Sequence, residues 1–316
     1  MEKNEILDNP PLVSIVVVTY NSSRYVLETL ESMKSQTYMN LELIISDDAS
    51  VDNTVKICKA WVEENKKRFV RTELISVAEN TGIPSNINRG IKAAKGEWVK
   101  PIAGDDVMMD DCIERYMEYA SENPSAELLH SKVRHYNSSF TDENRLPEHD
   151  TAAMKINRPG ITAKEQFEIL LRGNKIWAAS IFVKKSVYEK VGLFDENLRL
   201  WDDRPFLLKV TMNNIKLHFV NITSCKYRVH LNSIQRQRRK DNLITDFNLE
   251  VSKHYHNNYL KYLPRKERII KSILLKRILF LDKFNLNKNN LGVKAFMALT
   301  AFPWNLFLRR INKKYE

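Results

Sequence analysis

Four short, almost wholly apolar runs punctuate the first third of the chain, and clusters of polar side chains close them. The runs are Val13–Tyr20 (VSIVVVTY), Leu41–Asp48 (LELIISDD), Thr72–Ala78 (TELISVA) and Trp98–Ala103 (WVKPIA). Their brevity and β-branched content mark strands. The apolar run Val13–Val18 is far shorter than the roughly 20 residues that cross a bilayer. Helical patterns lie between the runs, over Ser22–Gln36 with Val26, Leu30 and Met33 on one face, Asp52–Asn65 with Asp52 as N-cap, and Ile83–Ala94. Apolar strands that alternate with helices predict an α/β fold with a mainly parallel sheet flanked by helices.

In such a sheet the strands point one way, and ligands bind beyond their carboxyl ends. Here those ends carry Thr19-Tyr20-Asn21, then Asp47-Asp48-Ala49-Ser50 with Asp52 and Thr54, then Asn80-Thr81-Gly82, then Gly104-Asp105-Asp106. One Asp after a strand is ordinarily a helix cap. Four polar clusters on one edge point to a shared site. Neighbouring carboxylates repel unless a cation offsets them. Oxygen donors suit Mg²⁺ or Mn²⁺, which bind phosphates, so a diphosphate leaving group fits the pattern. A dinucleotide fold is disfavoured, because no GxGxxG follows the first strand and the chain has only eight glycines. No GxxxxGK[ST] occurs either. Cys58, Cys112 and Cys225 are far apart without CxxC spacing, which argues against a disulfide scaffold or zinc site and suits a reducing compartment.

These motifs, in this order, resemble the family 2 glycosyltransferases of the GT-A fold over about Leu12–Ser233. The opening VSIVVVTYNSSRYVLETLESMKSQTY, DDASVDNT (Asp47–Thr54), ENTGIPSNINRGIKAAKGEWV (Glu79–Val99), GDD (Gly104–Asp106), VGLFDENLRLWDD (Val191–Asp203) and YRVHLNS (Tyr227–Ser233) carry the resemblance. It implies a nucleoside pocket lined by Thr19 and Tyr20, with Asp47 accepting a hydrogen bond from the base and Asp48 supporting it. Asn21, Asn80, Gly82, Asn88, Gly104 and Asp106 complete the implied donor side. Asp105, and His230 with it, would hold a divalent metal. Trp201 and Asp202 would face the acceptor, and Asp203 would be the general base of an inverting transfer. Read without the resemblance, Asp202-Asp203 before Pro205 is the acidic start of a helix, and both readings are compatible. Two positions depart from the family pattern: Ala103 stands where the first Asp of DxD usually lies, and the expected third-segment Arg falls at Ile87, with Arg89 two residues on.

The implied catalytic domain covers 1–235, with a donor half at about 12–106 and an acceptor half at 107–235. A polar, loop-like stretch, Tyr136–Pro159, interrupts the acceptor half, and polar residues at Gln235–Asp241 precede a helical, basic region over 236–316. The net charge of +11 sits there: from Lys261 to Glu316, 14 Lys and Arg face three Asp and Glu. Arg265–Lys283 has the spacing of a basic amphipathic helix. Leu291–Leu308 is apolar but interrupted by Lys294, Pro303 and Asn305. Together they suit an anionic membrane surface, or packing on the catalytic domain with basic faces in water. Basic charge confined to this region, without aromatic interleaving or a recognition motif, argues against nucleic acid. No secretory signal is visible, so the expected location is cytoplasmic, peripheral at the inner face of the cell membrane. The expected activity is transfer of a hexose or N-acetylhexosamine from a nucleotide sugar, UDP-linked by resemblance, to a lipid-linked glycan of a bacterial surface polysaccharide. Ala103 keeps open the alternative of a catalytically silent nucleotide- or sugar-binding subunit.

Overall fold

The computed structural model describes residues 10–147, 151–174, 176–230, 242–312 and 315. One eight-stranded sheet organises the described chain, in the order β3-β2-β1-β4-β7-β6-β8-β5. The donor half supplies β1 (Val13–Thr19), β2 (Leu41–Asp47), β3 (Arg71–Ser76) and β4 (Trp98–Ala103), all parallel. Strand β7 (Phe182–Lys184) runs antiparallel to both β4 and β6 (Leu128–Asn137), and so joins the halves. Strand β8 (Leu217–Val229) pairs in parallel with β6, and the two-residue β5 (Val107–Met108) closes that edge antiparallel to β8.

The two-residue side-chain period of a strand divides the core between the two faces of the sheet. Val13, Ile15 and Val17 of β1 and Leu41, Leu43 and Ile45 of β2 face one side. There they meet α1 (Val26–Lys34), α2 (Thr54–Asn65) and α4 (Cys112–Glu122) through Leu30, Trp61 and Tyr116. Val16 and Ile44 face the other side, with Ile87 and Ile91 of α3 (Ile83–Ala93). That second core continues into α5 (Ala163–Leu170), α6 (Lys185–Val191) and α7 (Asp203–Met212). Gly90 lets α3 lie close on the sheet: a Cβ there would stand 2.2 Å from Val16 Cγ1.

The C-terminal region is built into this second core. Tyr255 of α8 (Asp246–Asn258), and Tyr259, Leu260 and Leu263 after it, are buried with Leu170, Trp201 and Phe206. Helix α9 (Arg265–Lys283) contributes Glu267, which pairs with Arg172 at 2.9 Å where the side chains are 2% and 5% exposed. The end of α9 and the start of α10 (Leu291–Asn312) form a smaller cluster around Ile244, Leu249 and Leu281. The inferred boundary at 235/236 lies outside the described residues, but the contacts of α8 and α9 cross it.

Most expected elements recur, with shifted ends. The first helix begins at Val26 rather than Ser22, because Ser22 N bonds Thr54 Oγ1 at 2.7 Å and Ser23 N bonds Asp52 Oδ2 at 3.1 Å. Those bonds commit residues 22 and 23 to a turn. The second begins at Thr54, with Asp52 two residues upstream accepting from Thr54 N at 3.0 Å.

Candidate active site

The carboxyl ends of β1, β2 and β4 lie side by side, because β1 pairs with both neighbours. Thr19 ends β1 and touches both: its hydroxyl donates to Asp47 Oδ2 at 2.8 Å, while Gly104 packs against its methyl group. A Cβ at Gly104 would be 2.7 Å from Thr19 Cγ2, so the turn after β4 needs glycine there. Asn21 and Ala49, just past β1 and β2, both take positive φ (50° and 66°). Such left-handed non-glycine residues gather at functional turns. Asn21 N bonds Ser50 Oγ and Asn21 Oδ1 accepts from Val51 N, which ties the two turns together. Tyr20, half exposed, projects beside them.

Asp47 and Asp48 work inward. Asp47 is 1% exposed and accepts from Thr19, from the Ser50 hydroxyl and amide, and from Ser76. Through these bonds it shapes the turn after β2. Asp48, 2% exposed, accepts from Thr81 N, Thr81 Oγ1 and Gly82 N. Arg89 pairs with it at 3.2 Å and takes the basic position that the family pattern would put at Ile87, which is 5% exposed in the core. Asn88 also departs from its expected donor-side role. It is 1% exposed, donates to Phe194 O and Glu196 Oε1, and accepts from Phe194 N, so it anchors the acceptor-side segment.

Asp105 and His230 meet, with Asp105 Oδ2 3.0 Å from His230 Nε2. Asp106 turns inward, 2% exposed, and accepts from Arg228 N at 2.9 Å. Burial and then the Asp105 charge hold its carboxyl well above the ordinary range, against the opposing pull of Lys100. Lys100 is completely buried on β4 with its ammonium on the carbonyls of Ala179 and Pro101. Arg228 braces the turn: its guanidinium donates to Asp105 O, Ser138 O and Glu28, between the rings of Tyr25 and Phe140.

The second acidic pair opens α7. Asp203 Oδ2 accepts from Asn174 Nδ2 at 2.6 Å and Oδ1 from Arg204 N at 2.6 Å. Burial and then the Asp203 charge push Asp202 up to about 7, and burial raises Asp203. Trp201, expected to face the acceptor, packs inside instead. It is 4% exposed, edge-on to His254 and beneath Arg204.

Tyr227 lies on β8, one residue before Arg228. Burial raises its phenol, and the charges of Asp106, Asp105, Asp202 and Asp203 add to that in turn. Its ring packs at 5.5 Å from Trp177 and 5.4 Å from His135. No role was read for Tyr227 or Trp177 from the sequence. The available signal for Tyr227 was the Tyr-Arg-x-His string; Trp177, past α5, lies in no motif.

Asp105 and His230 could hold one divalent cation. Among the described residues no group of three or more His, Cys, Asp or Glu forms a cage. A two-residue set suits Mg²⁺ or Mn²⁺, which take their remaining oxygens from phosphate and water.

A model of glycosyl transferase family 2 matches residues 14–192. An uncharacterized glycosyltransferase of Haemophilus influenzae is 24% identical, spanning 97% of this chain and 99% of its own. The uncharacterized glycosyltransferase EpsJ of Bacillus subtilis is 29% identical over 71% of this chain and 63% of its own. Among solved structures, S. aureus TarS 1–349 in complex with UDP-GlcNAc superposes with a TM-score of 0.63 at 18% identity, covering 93% of this chain and 80% of that one. The mannosyltransferase PcManGT of Pyrobaculum calidifontis, in complex with GDP-Man and Mn²⁺, gives 0.54 at 16% identity, covering 96% and 84%. The fold is GT-A, and the chain is a glycosyltransferase belonging to glycosyl transferase family 2.

Proposed function

We propose that this chain moves a sugar from a nucleoside-diphosphate donor, UDP-linked in the first instance, to an acceptor hydroxyl with inversion. The observation that carries this reading is the placement of Asp105, 3.0 Å from His230, in the turn after β4, beside the carboxyl ends of β1 and β2, in a chain of this family. The ligands of the two solved neighbours, UDP-GlcNAc and GDP-Man, support the donor class. Tyr20 and Asn21 line the nucleoside side, while Thr19, Asp47, Asp48, Asn80 and Gly82 hold the turns that shape it. Asp105 and His230 would hold Mn²⁺ or Mg²⁺. When bound, the cation would offset the charge that grows on the departing diphosphate.

Asp203 supplies the proton chemistry. A sugar hydroxyl is a poor nucleophile near neutral pH, and a positioned carboxylate can take its proton as the new bond forms. Asn174 and the Arg204 amide aim that carboxylate from two sides. Asp202 beside it, pushed up to about 7, stores a proton at lower pH and adds a negative charge above that. The ring of Trp177 offers an apolar face on the acceptor side, against which a sugar can stack.

The acceptor in this reading is a lipid-linked glycan of a surface polysaccharide, met at the inner face of the cell membrane. No described helix is long and apolar enough to cross a membrane. Helix α10 nevertheless exposes Leu291 (83%), Leu299 (76%) and Phe302 (69%) within the most basic part of the chain. Such a helix can lie in an anionic interface.

The test is release of nucleoside diphosphate from a panel of UDP- and GDP-sugars with Mn²⁺. Asp105→Ala is expected to abolish it and Asp203→Asn to lower it by about 10²- to 10⁴-fold. If nucleotide sugars bind but none turns over, with or without a lipid-linked acceptor, the chain is a silent binding subunit.

A further inference from the structure

Helix α8 holds the Arg199–Leu200 backbone ahead of Asp203 through one carboxylate. Glu250 Oε2 accepts from Arg199 N at 2.9 Å, and Oε1 accepts from Leu200 N at 2.9 Å. Both oxygens of one carboxylate therefore hold two consecutive amides, some 50 residues away in sequence. Trp201, Asp202 and Asp203 follow directly. A half-open cleft of about 490 Å³ lies beside this turn, lined by Arg199, Leu200, Glu250, Lys253 and Asp282 among others.

Arg199 grips the donor side at the same time. Its Nη2 donates to Asn80 O at 3.0 Å and Asn80 Oδ1 at 2.9 Å, while its carbonyl accepts from Ile83 N at 2.8 Å. Gly82 lies so close that a Cβ there would be 2.9 Å from Arg199 Cα. The amides of Thr81 and Gly82 in turn hold Asp48. A continuous chain of bonds thus runs from α8 through Arg199 to the end of β2.

We propose that Glu250 is a positioning residue for transfer: it fixes the Arg199–Leu200 backbone, and with it the aim of Asp203, while Arg199 locks that turn to the donor loop. The proposal rests on Asp203 as the base. Charge-assisted bonds to backbone amides are short and directional, and an error of about 1 Å in a catalytic group can cost roughly 100-fold in rate.

The experiment compares Glu250→Ala, Glu250→Gln and Lys253→Ala in the full chain, with Asp203→Asn in parallel. The readouts are kcat and KM for the nucleotide sugar that is turned over, the melting temperature, and the affinity for the nucleoside diphosphate alone. Glu250→Ala is expected to lower kcat by about 10- to 100-fold, with diphosphate affinity close to that of the parent. Glu250→Gln, which keeps only one acceptor oxygen, should fall between. Lys253→Ala, whose side chain lines the same cleft but bonds Asp282, should match the parent. A folded Glu250→Ala or Glu250→Gln protein with parent kcat, while Asp203→Asn has lost most of its kcat, overturns the positioning role alone. If Asp203→Asn keeps parent turnover, the base reading falls and the positioning role falls with it. Should Glu250→Ala fail to fold, Glu250→Gln decides by the same split between kcat and affinity.

Discussion

Asp202 and Asp203 sit side by side at the start of α7, where burial disfavours the charged form of both. The folded pKa of Asp202 is raised from 3.8 to about 7. A raised carboxyl contributes stability fully below its unfolded pKa and loses it as pH climbs through the folded value. The Asp202→Asn protein should therefore gain in melting temperature relative to the parent as pH rises from about 4 to about 7, read by scanning fluorimetry at several pH values. A relative loss over that window would contradict the burial of the pair. Asp203→Asn removes the proton acceptor and should lower kcat by about 10²- to 10⁴-fold, while calorimetry finds nucleoside diphosphate binding unchanged. Asp105 and Asp203 were singled out by resemblance, since an acid beyond a strand end or before a helix is by itself an ordinary cap. Asp47, Asn88 and Trp201 were named with them, and the structure turns each inward. A motif fixes which residue types recur, but the direction of a side chain depends on partners distant in sequence: Ser76 for Asp47, Phe194 for Asn88, His254 for Trp201.

Elements hold this site through close approaches and buried pairs. Val16 leaves no room for a Cβ at Gly90. Gly90→Ala should lift α3 from the sheet and cost about 1–3 kcal/mol, seen as a lower denaturation midpoint with unchanged slope. Arg172, just past α5, and Glu267 of α9 pair out of solvent. Glu267→Ala would leave a buried guanidinium uncompensated and should cost about 3–5 kcal/mol, measured by the same unfolding. The helices and parallel strands of the donor half were plain in the sequence, since apolar runs and helical spacing are local signals. The antiparallel β7, the two-residue β5 and the docking of α8 on the second core were not. They are set by pairings between distant segments, with no periodicity of their own.

At the scale of the whole molecule, the C-terminal region completes the main core, and its last helix is the membrane face of the proposed function. A chain cut after residue 235 loses Tyr255, Tyr259, Leu260 and Leu263 from the main core. It should show no cooperative melting transition. A chain cut after Asn290 keeps them and is expected to bind nucleoside diphosphate as the parent does, but to lose co-flotation with anionic vesicles, neutral vesicles serving as control. Retained flotation would count against α10 as the membrane face. The sheet itself has two margins of different character. One is β5, two residues long and too brief to template a stranger's backbone. The other is β3, where Arg71 and Glu73 on alternate positions pair with each other and Arg71 also grips Glu42 of β2. Charge and shortness at strand margins deter intermolecular β-pairing, so crowded copies of this chain should resist fibrous aggregation through their sheets and associate, if at all, by their helical flanks.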